Sequence, residues 1–241
     1  MFIEDNYRVG ISDLTPRREL SNTTLLRCLE NLGNMHSEIA GYGVTDMDRT
    51  RVSWVLLSWK VKVMKRPHIG DYLNIKTWSA GIDRYFAYRD FEVKNQYGEL
   101  VCIASSSWSM IDIDSGKIVK MTDEINEKYT TENKHVFEDE MKRIRIKEPG
   151  EFLSKGEFKI TRSLIDLNMH LHNIYYYDIA KEALPEDAVF EKESNEFEIH
   201  YKKGIKLGEK AKYYYSVDGD NHIVTIKNEN DEYAATVLIK K

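Results

Sequence analysis

Only two cysteines and four prolines interrupt 241 residues, and glycine supplies just 13. Cys28 and Cys102 sit among apolar neighbours with no CxxC or Cys/His spacing, which disfavours a disulfide framework and a structural zinc site and predicts two buried free thiols. Sparse proline and glycine, beside 41% hydrophobic and 31% charged residues, exclude global disorder. Long apolar runs are missing too: none approaches the roughly 18 to 20 residues that span a bilayer. Met1-Phe2-Ile3-Glu4-Asp5 lacks the basic-then-apolar layout of a secretory signal, so a cytoplasmic protein without membrane insertion is expected. Nor is there an excess of positive charge. Thirty-five basic against 40 acidic residues leave a net charge of −5, which argues against bulk attraction to nucleic acid. No basic helix-turn-helix segment precedes the first periodic stretch.

What is present is periodic. Leu25, Cys28, Leu29, Leu32, His36 and Ile39 recur at three- and four-residue steps and stop at Gly41 and Gly43, predicting one long core-facing helix. From residue 52 the period falls to two: Val55, Leu57, Trp59, Val61 and Val63 share a parity, and Pro67 to Asp71 make a turn before Tyr72, Leu73 and Ile75. Strands are predicted at Phe86–Val93 and Leu100–Ile113, joined by the hairpin signal Asn95-Gln96-Tyr97-Gly98. A second turn falls at Asp114-Ser115-Gly116. Residues 121–150 are rich in Glu, Lys, Asp and Thr and end in Glu148-Pro149-Gly150, which reads as an exposed connector between domains at 1–120 and 151–241.

The second domain repeats the plan of the first. A strand is predicted at Phe158–Thr161, a helix from about Asn173 to Ala183, alternation at Phe197, Ile199 and Tyr201, then strands at Lys210–Val217, His222–Lys227 and Tyr233–Ile239. At a constant spacing of 138, Trp59, Val61, Val63, Gly70 and Asp71 fall on Phe197, Ile199, Tyr201, Gly208 and Glu209. At a spacing of 133, Phe91, Val93, Gly98, Glu99 and Val101 fall on Val224, Ile226, Asp231, Glu232 and Ala234. The expected class is α+β, each half a helix packed on a curved antiparallel sheet. A groove between helix and strands would accept an acyl chain, at about 0.8 kcal/mol per buried methylene.

Chemically capable side chains concentrate in Asp166-Leu167-Asn168-Met169-His170-Leu171-His172-Asn173. Read as an extended lead-in to the second helix, this run projects Asp166, Asn168 and His170 to one side. Imidazole accepts a proton from water near neutral pH, asparagine holds a water or an oxyanion, and aspartate orients either. The same residue types also cap helices, a role that suits Asn173. His170 and His172 lack a third ligand at metal-binding spacing, and no cofactor is called for.

Asp166-x-Asn168-x-His170-Leu171-His172-Asn173-x-x-Tyr176, with Glu182 following, resembles the D-x-N-x-H-V-N-N-x-x-Y…E signature of acyl-acyl-carrier-protein thioesterases. Trp59-Lys60-Val61-Lys62-Val63, Pro67-x-x-Gly70-Asp71, Thr77-Trp78, Arg89-Asp90-Phe91 and Ala104-Ser105-Ser106-Ser107-Trp108 look like that family's amino-terminal domain. The resemblance implies a tandem (double) hot-dog fold and hydrolysis of the thioester between a fatty acyl group and the phosphopantetheine arm of acyl carrier protein. It assigns catalysis to Asp166, Asn168 and His170 in the second domain and the acyl pocket to the first. Members of the family often carry Glu, sometimes followed by Cys, where this chain has Gly204 and Ile205.

Those departures make a cysteine nucleophile doubtful and leave open what replaces the carboxylate. His170 is expected to act as general base on water, direct attack by Asp166 being the alternative, with backbone amides at the second helix's amino end as oxyanion donors. An acidic carrier protein calls for a local basic surface, for which Lys202, Lys203, Lys206, Lys210 and Lys212, or Arg17-Arg18, are candidates. Two other functions compete: a hot-dog 3-hydroxyacyl-thioester dehydratase, and an acyl-thioester-binding protein without turnover. Monomer and homodimer are both compatible with a tandem repeat.

Overall fold

A computed structural model describes residues 1–138, 151–186 and 193–240. The chain divides into two units, Met1–Lys142 and Arg143–Lys241. Unit 1 contains β1 (Phe2–Arg8), α1 (Asn22–Ala40), the short α2 (Met47–Thr50), β2 (Val52–Val63), β3 (Tyr72–Ile82), β4 (Ala87–Asn95), β5 (Leu100–Asp112) and α3 (Asp123–Tyr129). Its strands run antiparallel in the order β1-β3-β4-β5-β2. One row crosses the whole sheet: Ile3, Thr77, Phe91, Ala104 and Val61.

The predicted long helix is α1, and its ends follow from side-chain chemistry. Ser21 Oγ accepts from the Thr24 amide at 3.1 Å, and Gly41 adopts φ 78°, a left-handed turn that glycine enters without strain. Leu25, Leu26, Leu29, Leu32 and His36 are buried, whereas Ile39, counted above on the core face, is 63% exposed. Full burial of each leucine contributes about 1.5 to 3 kcal/mol.

Three expectations for this unit are corrected. Strand β2 does not keep one parity: a bulge between Leu56 and Ser58 shifts the register, so Leu56 is buried and Val55 exposed, while Trp59, Val61 and Val63 face inward as read. Residues 121–129 are not an exposed connector. Met121, Ile125 and Tyr129 are buried and α3 packs on α1, because a four-residue apolar spacing outweighs the acidic composition around it. The remainder of that stretch, 139–150 with Glu148-Pro149-Gly150, lies outside the described residues. Strand β1 was not anticipated; it pairs with β3 from Phe2↔Trp78 to Arg8↔Tyr72.

Unit 2 contains β6 (Ser154–Lys159), α4 (Tyr175–Ala183), β7 (Glu196–Tyr201), β8 (Lys210–Asp218), β9 (Asn221–Lys227) and β10 (Tyr233–Lys240), with its strands in the antiparallel order β7-β10-β9-β8-β6. Tyr177 of α4 packs at a tilt against Phe197 of β7 with ring centroids 4.6 Å apart. The helix starts at Tyr175 rather than Asn173, and no side chain caps it.

The internal repeat extends to backbone geometry. Gly70 and Gly208 have φ 84° and 87°, and each amide bonds back to the end of its unit's first strand, Gly70 to Val9 and Gly208 to Ile160. The hairpin at Asn95 closes with Asn95 N–H to Glu99 C=O at 3.0 Å, and its counterpart at Asn228 with Asn228 N–H to Glu232 C=O at 2.9 Å. Among the described residues no helix is long and apolar enough to cross a membrane.

Candidate active site

Residues 165–171 form a closed turn, not the extended lead-in expected above. Ile165 bridges Leu171, the Asp166 amide donates to the His170 carbonyl at 2.8 Å, and Met169 takes φ 62°. Asp166 makes this possible: its Oδ1 accepts the amides of Asn168 at 2.8 Å and His170 at 3.1 Å. The carboxylate therefore joins the three residues through main-chain bonds. Among the described residues no hydrogen bond between two side chains links Asp166, Asn168 and His170. Asn168 is exposed on the turn, Asp166 and His170 are half-buried, and Leu167 beside them is 82% exposed.

The far side of the turn is anchored to residues 204–206. His170 bridges Lys206, and the Leu171 amide donates to Ile205 C=O at 2.7 Å. Tyr176 explains its place in the motif: buried, it receives a hydrogen bond from the Ile205 backbone and packs edge-on against Tyr201 at 5.4 Å, and burial above all pushes its hydroxyl pKa up. Asn173 caps nothing; its carbonyl accepts the Tyr201 hydroxyl at 2.9 Å. The amides of Tyr175, Tyr176 and Tyr177 turn back to the carbonyls of His172, Asn173 and Ile174. The amides of Asn173 and Ile174, just ahead of them, have no partner among the described residues.

Unit 1 holds a cleft lined by Gly33 and Ser37 of α1, Trp54, Arg89, Trp108 and Tyr129. Sequence reasoning missed its charged member. Arg89 shares the inward parity of Ala87, Phe91 and Val93, which was the available signal. Burial lowers its pKa to about 10. Its guanidinium bonds His36 Nδ1 at 2.8 Å and Thr77 Oγ1 at 3.3 Å, with no carboxylate among these partners. Tyr129, supplied by α3, receives the Trp54 indole N–H at 2.9 Å.

Neither thiol is a nucleophile. Cys28 and Cys102 are unpaired and buried, and desolvation drives both to about 12. Among the described residues no group of three or more His, Cys, Asp or Glu is arranged to hold a metal. The lysine surface is partly neutralised: Lys203, Lys210 and Lys212 pair with Glu232, Glu157 and Asp231. Arg17 and Arg18 are exposed.

Residues 2–129 match the acyl-ACP thioesterase N-terminal domain family and residues 146–240 the acyl-ACP thioesterase C-terminal domain family. The chain belongs to the acyl-ACP thioesterase family. It is 26% identical over 218 residues to oleoyl-acyl carrier protein thioesterase 1 of Arabidopsis thaliana, a match covering 84% of this chain and 59% of that protein. A palmitoyl-acyl carrier protein thioesterase of Cuphea hookeriana is 24% identical over 84% of this chain and 52% of its own length. The chain thus spans little more than half the length of these relatives. Two solved structures share its fold, an acyl-ACP thioesterase from Bacteroides thetaiotaomicron (TM-score 0.88, 19% identity, 99% and 97% of the two chains) and a 12:0-ACP thioesterase from Umbellularia californica (TM-score 0.86, 17%, 99% and 96%). The architecture is accordingly α+β and hot-dog-like, with large antiparallel sheets and few helices.

In this acyl-ACP thioesterase family member, the turn geometry gives Asp166 a measurable structural role. Asp166→Ala removes the acceptor for two amides and is expected to cost about 1 to 2 kcal/mol in urea unfolding. Asp166→Asn keeps an oxygen at Oδ1 and recovers most of the loss. Equal stability of Asp166→Ala and the parent chain would show that the turn does not depend on the carboxylate.

Proposed function

We propose that this chain hydrolyses fatty acyl–acyl-carrier-protein thioesters to free fatty acid and acyl carrier protein, in a tandem hot-dog whose first unit holds the acyl chain and whose second carries the reacting groups. The observation that carries the reading is the turn at 165–171. It fixes the backbone of a half-buried histidine through a carboxylate and keeps that histidine's ring free for chemistry. His170 takes a proton from water, and the hydroxide adds to the thioester carbonyl. The oxyanion is held by the Asn173 and Ile174 amides, a well-aimed donor being worth roughly 2.7 to 4 kcal/mol in the transition state. The C–S bond then breaks, and the departing pantetheine thiolate takes the proton from the imidazolium. Asn168 places the water. Asp166 serves as the scaffold of the turn, its Oδ1 accepting the Asn168 and His170 amides.

Buried unpaired thiols suit a reducing compartment, and we assign the protein to the cytoplasm and to fatty acid metabolism. The cleft in unit 1 has an aromatic lining from Trp54, Trp108 and Tyr129, which supports its assignment to the acyl chain.

Thiol release from a ladder of acyl-ACPs of different chain length, followed with a thiol reagent, tests the activity. Hydrolysis frees one thiol per fatty acid, and Asn168→Ala is expected to slow it at least tenfold. Loss of a 3-hydroxyacyl substrate without thiol release would establish a dehydratase instead. Tight binding without either product would establish a non-catalytic acyl-binding protein.

A further inference from the structure

We propose that Gly204 is a positioning residue for His170: its missing side chain leaves the room in which the imidazole lies, and any Cβ there displaces the ring. The proposal rests on the assignment of His170 as the base. A Cβ built on Gly204 would stand 2.8 Å from His170 Cδ2 and 3.2 Å from Cγ, distances that require something to move. The nearest atoms are all carbons of the histidine, so the glycine supports the ring without engaging either nitrogen.

The backbone does not require glycine at this position. Gly204 is absent from the residues with positive φ, unlike Gly208 four positions on, so an L-residue is conformationally acceptable. Unit 1 makes the same point through the repeat. At the spacing of 138 that superposes Gly70 on Gly208, Gly204 corresponds to Arg66. Arg66 carries a full side chain there, bonded to the Leu20 carbonyl at 3.2 Å and Asn22 Oδ1 at 2.7 Å. What differs in unit 2 is the residue across from it.

Neither wall yields readily. His170 is held by its amide on Asp166 Oδ1 and its carbonyl on the Asp166 amide. Beside Gly204, Ile205 is fully buried, its backbone bonded to the Tyr176 hydroxyl and to the Leu171 amide. On the other flank, Lys202 and Lys203 both donate to the Ala234 carbonyl. With both main chains held, an added methyl is accommodated by rotating the imidazole out of its rotamer. This chain carries no carboxylate at position 204, and installing one therefore disturbs the base rather than assisting it.

Gly204→Ala and Gly204→Glu are to be compared with the parent chain by steady-state kinetics on one acyl-ACP, by imidazole resonances in carbon-correlated NMR spectra, and by thermal melts. Both variants are expected to lower kcat at least tenfold with KM changed less than threefold, and to move the His170 ring resonances. In a His170→Ala background the methyl meets no ring, so Gly204→Ala is expected to cost no further stability. An unaltered kcat with unmoved ring resonances in Gly204→Ala overturns the proposal. So does a stability loss of equal size in both backgrounds, which would place the strain in the main chain. Full activity of His170→Ala would instead overturn the assignment of the base, while the ring resonances would still report on the packing.

Discussion

His170→Ala is expected to reduce thiol release from acyl-ACP by roughly 10²- to 10⁴-fold, the usual contribution of a positioned general base. The effect should fall on kcat, because in the proposed mechanism the imidazole acts on water and not on the acyl chain. No neighbouring group is set to take over. His172 lies edge-on to Tyr175 at 6.0 Å, His200 is engaged with Glu198 at 3.1 Å, and Asp166 Oδ1 accepts two amides of the turn. His172→Ala is therefore expected to retain most of the activity and serves as the matched control. Half-buried and on a turn, His170 contributes little to the core, so a thermal melt of the variant should lie close to that of the parent chain. A large loss in His172→Ala with activity preserved in His170→Ala would transfer the role of base two residues along.

The two histidines show how far the sequence alone reaches. Residue types and order were legible: a proton acceptor beside an amide and a carboxylate, ahead of a helix. Their geometry was not, because parity arguments assume an extended chain. Asp166 followed by Asn168 is itself a turn signal, an aspartate able to bond amides ahead of it, and Met169 in the left-handed region completes the closure. Helix α1 was readable because its period and its terminal glycine agree. The bulge in β2 was invisible, since one inserted residue inverts alternation without leaving a compositional mark. Strand β1 escaped because Phe2, Ile3 and Tyr7 do not alternate and the strand between them is polar. Acidic composition concealed α3, although Met121, Ile125 and Tyr129 stand at helical spacing. A charged residue inside an alternating strand, as Arg89 is in β4, is an equally readable signal of a buried polar partner, here His36.

That buried pair carries a strong expected pH dependence. His36 is fully buried, and its Nδ1 lies 2.8 Å from Arg89 Nη1, which can only donate. The imidazole must therefore be neutral with its proton on Nε2. Desolvation first, then the Arg89 charge, depresses its pKa from 6.5 to about 3. The amino-terminal ammonium adds to the depression, and Tyr129, 5.3 Å away ring to ring, is another titratable group against it, whose hydroxyl burial raises further from the acid range. Below pH 6.5 the unfolded chain binds a proton here that the folded chain refuses, so this contribution to stability is complete above 6.5 and is lost as pH falls toward 3. At pH 4.5 the loss amounts to about 2 to 3 kcal/mol relative to pH 7. His36→Gln supplies an oxygen acceptor for Arg89 without a titrating group, which removes this slope while leaving every other acid-titrating group in place. All four tryptophans, Trp54, Trp59, Trp78 and Trp108, lie in unit 1, so their emission during urea unfolding follows the unit that contains His36. Between pH 7 and 4.5 the parent chain is expected to lose about 2 to 3 kcal/mol more than His36→Gln. Parallel losses in the two proteins would mean that His36 takes up a proton in the folded state, contrary to a ring enclosed beside a guanidinium.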